Sequence, residues 1–149
     1  MKIVIGAPSN GLILKDAIKH YLAQDPRVSK VIDLSEEQKN YPQVSIEAAN
    51  YIANGEAERG ILICGTGIGT AIAASKVKGV RAATAHDLFS VRGAVANYNA
   101  QILCMGQAVI APPAAIALID EWLDAQHDPQ SAYGEKLLEI ENYEAEYLR

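Results

Sequence analysis

Residues 60–76, Gly-Ile-Leu-Ile-Cys-Gly-Thr-Gly-Ile-Gly-Thr-Ala-Ile-Ala-Ala-Ser-Lys, constrain the fold more than any other stretch of this 149-residue chain. Ile61, Leu62 and Ile63 make an apolar run of strand length that ends in Cys64. Three alternating glycines, Gly65, Gly67 and Gly69, follow, and then a run of small residues suited to a tightly packed helix. A buried strand, a glycine turn and a helix in that order form the first part of a β–α–β unit, whose next strand lies parallel to the first.

The same alternation runs the length of the chain. Residues 2–6 read as the first strand, and Leu14, Ile18 and Leu22 mark the buried face of the helix behind it. Residues 30–34 form a second strand, after which Pro42, at a first-turn position, opens a helix carrying Val44, Ala48 and Ile52. The helix after Cys64 is expected to reach about Lys78. Residues 80–85 read as the fourth strand, with a helix to about Ala96, and residues 101–105 as the fifth, extended on this reading through 108–110. Pro112 and Pro113 start a helix with Ile116, Ile119 and Leu123 on one face. After a polar break at 127–134, a last helix over 134–149 carries Leu137, Ile140 and Tyr147. The expectation is one α/β domain over residues 1–149, a three-layer Rossmann-like arrangement with a five-stranded parallel sheet. Ligands in such sheets bind outside the carboxyl ends of the strands, where Cys64 lies. The last helix stands apart from the body, and with Tyr143 and Tyr147 it is expected to dock on a neighbouring subunit. Its acidic residues, including Glu141 and Glu144, read as a solvated face.

Composition excludes several classes. A net charge of −5 with no basic cluster argues against nucleic acid as a partner. Apolar stretches of strand length argue against a membrane span. Met1 leads directly into the first strand, which leaves no room for a signal peptide. The two cysteines, Cys64 and Cys104, both lie in strand-like runs, so a reduced, cytoplasmic setting is expected. No His, Cys, Asp and Glu set has metal-ligand spacing, so neither metal nor cofactor is expected.

A thiol beside a helix N-terminus is easier to ionise, because nearby N–H groups and the helix dipole favour the thiolate. Cys64 could therefore act as a nucleophile with a His partner, or as a base that takes a proton beside a carbonyl. In the second case the N–H groups of Gly65, Gly67, Ile68 and Gly69 would hold the developing oxyanion, and Thr66 would relay a proton. A buried strand cysteine is more commonly a small core residue, as expected for Cys104; the glycine loop is what sets Cys64 apart. The loop also invites a dinucleotide reading, with Asp87 as the acidic ribose partner, but its spacing is G-x-G-x-G and Cys64 would have no role. Asp87 is expected instead to cap the helix after strand four. His86 is a candidate pocket residue; His20 and His127 read as surface residues.

Residues 60–76 closely resemble the signature of the ribose-5-phosphate isomerase B and galactose-6-phosphate isomerase family. The resemblance continues through Asn40-Tyr41-Pro42, residues 79–83, 86–90 and 99–103, Gly106, and Asp120-Glu121-Trp122-Leu123. It implies an aldose–ketose isomerase of sugar phosphates working through a cis-enediolate without metal. Cys64 would be the base, Thr66 a proton shuttle, the loop amides an oxyanion site, and Tyr41 part of the sugar site. It also implies a homodimer or tetramer in which residues around Asn97 reach a neighbour's Cys64. The C-terminal helix, lacking an arginine-rich lead-in, is similar to that of the galactose-6-phosphate isomerase B subunit, so a half-site subunit needing a related partner chain is the alternative.

The chain departs from the family where the substrate is held. Pro8-Ser9 stands where Asp-His is common, and Asn97 and Tyr98 stand where the ring-opening histidine and its neighbouring asparagine are expected. Ala108 replaces an arginine, and Gln130, Ser131 and Tyr133 occupy the region of two more. Asparagine donates a hydrogen bond but cannot protonate a ring oxygen. Substrates of four or five carbons rather than six are therefore expected, with better use of those that form no stable ring, such as four-carbon phosphates. Their phosphate would be gripped by Ser9 and a helix N-terminus, or by Arg92 or Lys136.

Overall fold

The computed structural model describes residues 1–148, along which strands and helices alternate. β1 (Lys2–Gly6) leads through a short 3₁₀ turn into α1 (Leu12–Gln24); β2 (Lys30–Asp33) into α2 (Tyr41–Ala53); and β3 (Arg59–Cys64) into α3 (Ile68–Ala74). β4 (Ala82–Thr84), α4 (Leu88–Ala96), β5 (Ile102–Gly106), α5 (Pro112–Asp124) and α6 (Ala132–Tyr147) complete the order. The five strands form one parallel sheet in the order β2-β1-β3-β5-β4.

Side chains alternate between the two faces of each strand, so the sheet carries two cores. Ile3, Ile5, Ile61, Ile63, Leu103 and Met105 pack under α1, α4 and α5. Val4, Leu62, Ile102 and Cys104 pack under α2 and α3. The helices leaving the neighbouring strands β1 and β3 thus run to opposite faces. A crevice opens where they part, the usual ligand position in an open α/β sheet. Its rim is tied by polar groups. Lys15 and Asp33, whose side chains are each 6% exposed, pair at 2.9 Å, and Lys19 reaches the same carboxylate. Burial raises the Asp33 pKa, but the two lysines and the Ser35 amide outweigh it and hold the value at about 2. Ser35 Oγ then accepts the Ala7 N–H at 2.8 Å, joining the ends of β1 and β2.

Four expected boundaries move. β4 is three residues long because the chain before it is held by side chains: Gln101 Oε1 accepts the Arg81 N–H, and the Arg81 guanidinium binds the Tyr98 and Asn99 carbonyls. α3 ends at Ala74, where Ser75 Oγ accepts the Ala82 N–H instead of continuing the helix. Residues 108–110 are no extension of β5; the Gln107 and Ala108 amides turn back to the carbonyls of Cys64 and Gly65, at 2.8 and 3.0 Å. α6 begins at Ala132, capped by Ser131, and rests on its own chain. Leu137 is buried, and Glu144 and Glu141 reach the Gly79 amide and Arg81, so those two carboxylates do not belong to a purely solvated face. Tyr143 and Tyr147, with ring centroids 4.9 Å apart, stay about 60% exposed.

Candidate active site

β3 delivers Cys64 to the carboxyl edge of the sheet. Gly6 of β1 pairs with Leu62, two residues earlier, so Cys64 projects past β1 while Gly106 of β5 lies beside it. The chain then turns on Gly67, which has φ +78. A Cβ there would lie 2.9–3.0 Å from the Met105 backbone, so sterics and backbone conformation both require glycine. The turn aims the Gly67 N–H at Cys64 Sγ, 3.1 Å away, and brings the Thr70 hydroxyl of α3 to 3.7 Å from the same sulfur. Burial pushes the Cys64 thiol up, but the Thr70 hydroxyl and the amides of Thr66, Gly67 and Thr70 outweigh it, and its pKa falls below the ordinary value. Cys104 has the opposite fate: wholly buried, its thiol is pushed up to about 12 and stays neutral.

Above Cys64 lies a cavity of about 800 Å³. Residues 64–66, 68 and 69 form its floor, Pro8, Ser9 and Asn10 one wall, and Gln38 through Tyr41 the other. Tyr41 is set by the start of α2, where Asn40 and Gln43 exchange side chain-to-backbone hydrogen bonds and Pro42 fixes the first turn. Its ring lies on Gly69, where a Cβ would come within 2.9 Å of it. Thr66 Oγ1 accepts the Ile68 N–H at 3.2 Å, which leaves its own hydrogen free to face the cavity. Two of the four amides expected to face an oxyanion are therefore already engaged, Gly67 by the sulfur and Ile68 by Thr66. Lys39 is the cation lining the cavity among the described residues, and Glu47, at 2.7 Å, raises its pKa.

Ser9, Tyr41, Cys64 and the loop residues are thus brought together within one chain; His86, Arg92, Asn97 and Tyr98 are not. His86 Nε2 accepts the Gly106 N–H at 2.8 Å, so its proton sits on Nδ1, and burial lowers its pKa. It braces the end of β5 and does not line the Cys64 cavity. Arg92 pairs with Glu121 at 2.7 Å and, with Asn97 at the end of α4, lines a separate cavity of about 470 Å³ beside Leu88 and Phe89. Tyr98 packs edge-on against Tyr133, whose other neighbour is Lys136. Asp87 caps α4 through the Ser90 amide, which removes the acidic partner that a dinucleotide reading requires. Thr70, Asn10 and Lys39 are site residues that sequence reasoning missed. Thr70 follows the glycine turn at a position that would face back to Cys64, the one local signal that could have found it.

A family model described as Ribose/Galactose Isomerase matches residues 3–140. The chain is 48% identical over 148 residues to D-erythrulose-4-phosphate isomerase 2 of Mycolicibacterium smegmatis, with 97% of each chain covered. It is 42% identical over 130 residues to D-erythrulose-4-phosphate isomerase of Pectobacterium atrosepticum, with 86% of each covered. The solved structure of Clostridium thermocellum ribose-5-phosphate isomerase B superposes with a TM-score of 0.91 at 34% identity, over 99% of both chains.

Proposed function

The chain belongs to the ribose/galactose isomerase family, and from that premise we propose that it interconverts the aldose and ketose forms of a four-carbon sugar phosphate with Cys64 as the base. The observation that carries this reading is a thiol at the cavity floor whose ionised form is favoured by the Gly67 amide and the Thr70 hydroxyl. In this mechanism the Cys64 thiolate takes the proton from the carbon beside the substrate carbonyl. The C–H electron pair forms the enediolate, and the carbonyl oxygen becomes an oxyanion. Thr66, with a free hydroxyl hydrogen, and the remaining loop amides stabilise that charge and pass a proton between the two oxygens. The new S–H then returns its proton to the neighbouring carbon. No other group is needed for the transfer, and a single base serving both carbons suits a planar intermediate held over the loop.

A four-carbon substrate is favoured because no imidazole stands ready to open a ring: Asn97 occupies the position expected of one, and Ser9 replaces a cavity-wall histidine. The similarity to two erythrulose-4-phosphate isomerases supports the same substrate size. On the cavity wall, Ser9 and Lys39 can receive the phosphate. Arg92 and Asn97 would complete the site from a second copy, so we propose a homodimer or a tetramer built from dimers. Phe89, 89% exposed on the same patch, supports an interface there. Two free thiols, one of them working as a thiolate, suit the reducing cytoplasm. No helix among the described residues is long and apolar enough to cross a membrane.

The test is turnover by the purified chain alone on a panel of sugar phosphates. Erythrulose 4-phosphate should be converted better than ribose 5-phosphate. Equal use of the two would overturn the substrate assignment. Inactivity on every member, restored by a related second chain, would make this protein a half-site subunit.

A further inference from the structure

Thr70 is wholly buried, and its single hydroxyl hydrogen has two acceptors within reach. The Gly67 carbonyl lies 3.1 Å from Oγ1, and Cys64 Sγ lies 3.7 Å from it. The same Gly67 carbonyl also accepts the Thr84 hydroxyl from β4, at 2.8 Å. A buried carbonyl stripped of its donor is costly. The Ala71 N–H reaches the Gly67 carbonyl as well, at 3.3 Å, so that carbonyl keeps two donors whichever way Thr70 points.

Two arrangements therefore satisfy every group. With a neutral thiol, the Cys64 S–H donates to Thr70 Oγ1, and the Thr70 hydrogen goes to the Gly67 carbonyl. With a thiolate, the Thr70 hydrogen turns to the sulfur and joins the Gly67 N–H there, while the Thr84 hydroxyl and the Ala71 N–H serve the carbonyl. We infer that Thr70 is a positioning residue whose hydroxyl switches between the Gly67 carbonyl and the Cys64 sulfur as the thiol loses and regains its proton, and that Thr84, the nearer of the carbonyl's two other donors, eases the switch. The hydrogen of Thr70 never leaves its oxygen. When the thiolate takes a substrate proton the S–H bond forms, the C–H electron pair stays with the substrate, and the Thr70 hydroxyl rotates back. The effect on turnover rests on Cys64 being the base; the effect on the thiol does not.

The other titratable groups around the sulfur are Cys104 on β5, Tyr41 and Lys39 across the cavity, and His86 behind Gly106. α3 contributes none. Cys104, whose thiol also meets the Thr70 hydroxyl, stays neutral in either arrangement, and His86 is held by the Gly106 amide, so the hydroxyl and the amides are the adjustable contacts.

The experiment measures iodoacetamide alkylation of Cys64 against pH, read from the mass of the Cys64 peptide so that Cys104 does not contribute. Thr70→Val should move the midpoint up by about one unit, or about tenfold less thiolate at neutral pH, through loss of a charge-assisted hydrogen bond. It should lower kcat by about as much with KM unchanged, and Thr70→Ser should restore both to within about twofold. Thr84→Val, at an exposed position, should move the midpoint the same way by about half a unit, because the Gly67 carbonyl, left with only the longer Ala71 contact, then holds the Thr70 hydrogen more firmly. It decides the matter even if Thr70→Val fails to fold. A midpoint unmoved in Thr84→Val, or a Thr70→Val shift that serine does not restore, overturns the inference. Full turnover by Cys64→Ala would overturn the base assignment alone, leaving the alkylation result to judge Thr70.

Discussion

Two cavities of this molecule are made of different materials. Around Cys64 the floor is backbone amides, a hydroxyl and a thiol, fixed by a strand end and a glycine turn, and the walls add Ser9, Asn10, Lys39 and Tyr41, the last set by a capped helix. Beside α4 the walls are exposed apolar surface, Leu88 and Phe89, with one guanidinium and one amide side chain. Proton transfer depends on sub-ångström placement of few atoms, which local backbone geometry provides within one chain. Gripping a substrate from its far side tolerates groups supplied by another copy. On the function proposed above, the contrast separates a reaction centre complete within one chain from a binding site that is not.

The sharpest way to break the comparison is Cys64→Ala. It should lower kcat by about 10²–10⁴-fold with the fold intact by circular dichroism, the usual range for loss of a general base. In the unaltered protein, the acid limb of kcat/KM should lie below the ordinary thiol value of about 8.5, since the folded thiol is lowered. Phe89→Asp addresses the other cavity. Light scattering should report a monomer and activity should fall by about 10²-fold through misplaced partner groups, while stability changes by less than about 0.5 kcal/mol at this exposed position. Full activity as a monomer would mean that the first cavity needs no second. Asp33 asks whether the rim is held by its own chain. Its lowered pKa adds stability that is present above about 3.9, the unfolded value, and is lost as pH falls towards 2, about 2 kcal/mol in all. Asp33→Asn should flatten acid denaturation across that window. Asn97→His should sharpen the comparison most gently, by raising the use of ribose 5-phosphate relative to a four-carbon substrate by about tenfold. No gain would show that ring opening is not what Asn97 lacks.

What sequence reasoning reached was local. β1 falls on residues 2–6 as expected, and the Cys64 turn follows from an apolar run meeting alternating glycines. What it missed depended on distant partners. Nothing near residues 108–110 announces that the amides of Gln107 and Ala108 will be captured by the carbonyls of Cys64 and Gly65. Thr70 reads as an ordinary small helix residue until the turn places it against a sulfur six positions earlier. Lys39, in a loop beside two glutamates, looks like a solvated charge, yet it lines the cavity. His86, Arg92, Asn97 and Tyr98 are legible as polar groups near strand and helix ends, but their positions in one chain do not converge on Cys64.

The strand order has a consequence for the time at which the molecule becomes functional. β1, β2 and β3 are neighbours both in sequence and in space, so the first sixty or so residues can begin to pair as they are made. β4 cannot, because its sheet neighbour is β5, which follows it in the chain. Cys64 is synthesised early, yet the carbonyls of Cys64 and Gly65 are tied down by amides just past β5, and Gly67 packs on Met105 within it. The Cys64 loop therefore lacks these partners until some forty further residues are made. Insertion of β5 between β3 and β4 both closes the sheet and supplies the partners of the Cys64 loop, so the cavity floor takes its shape at the step that completes the sheet.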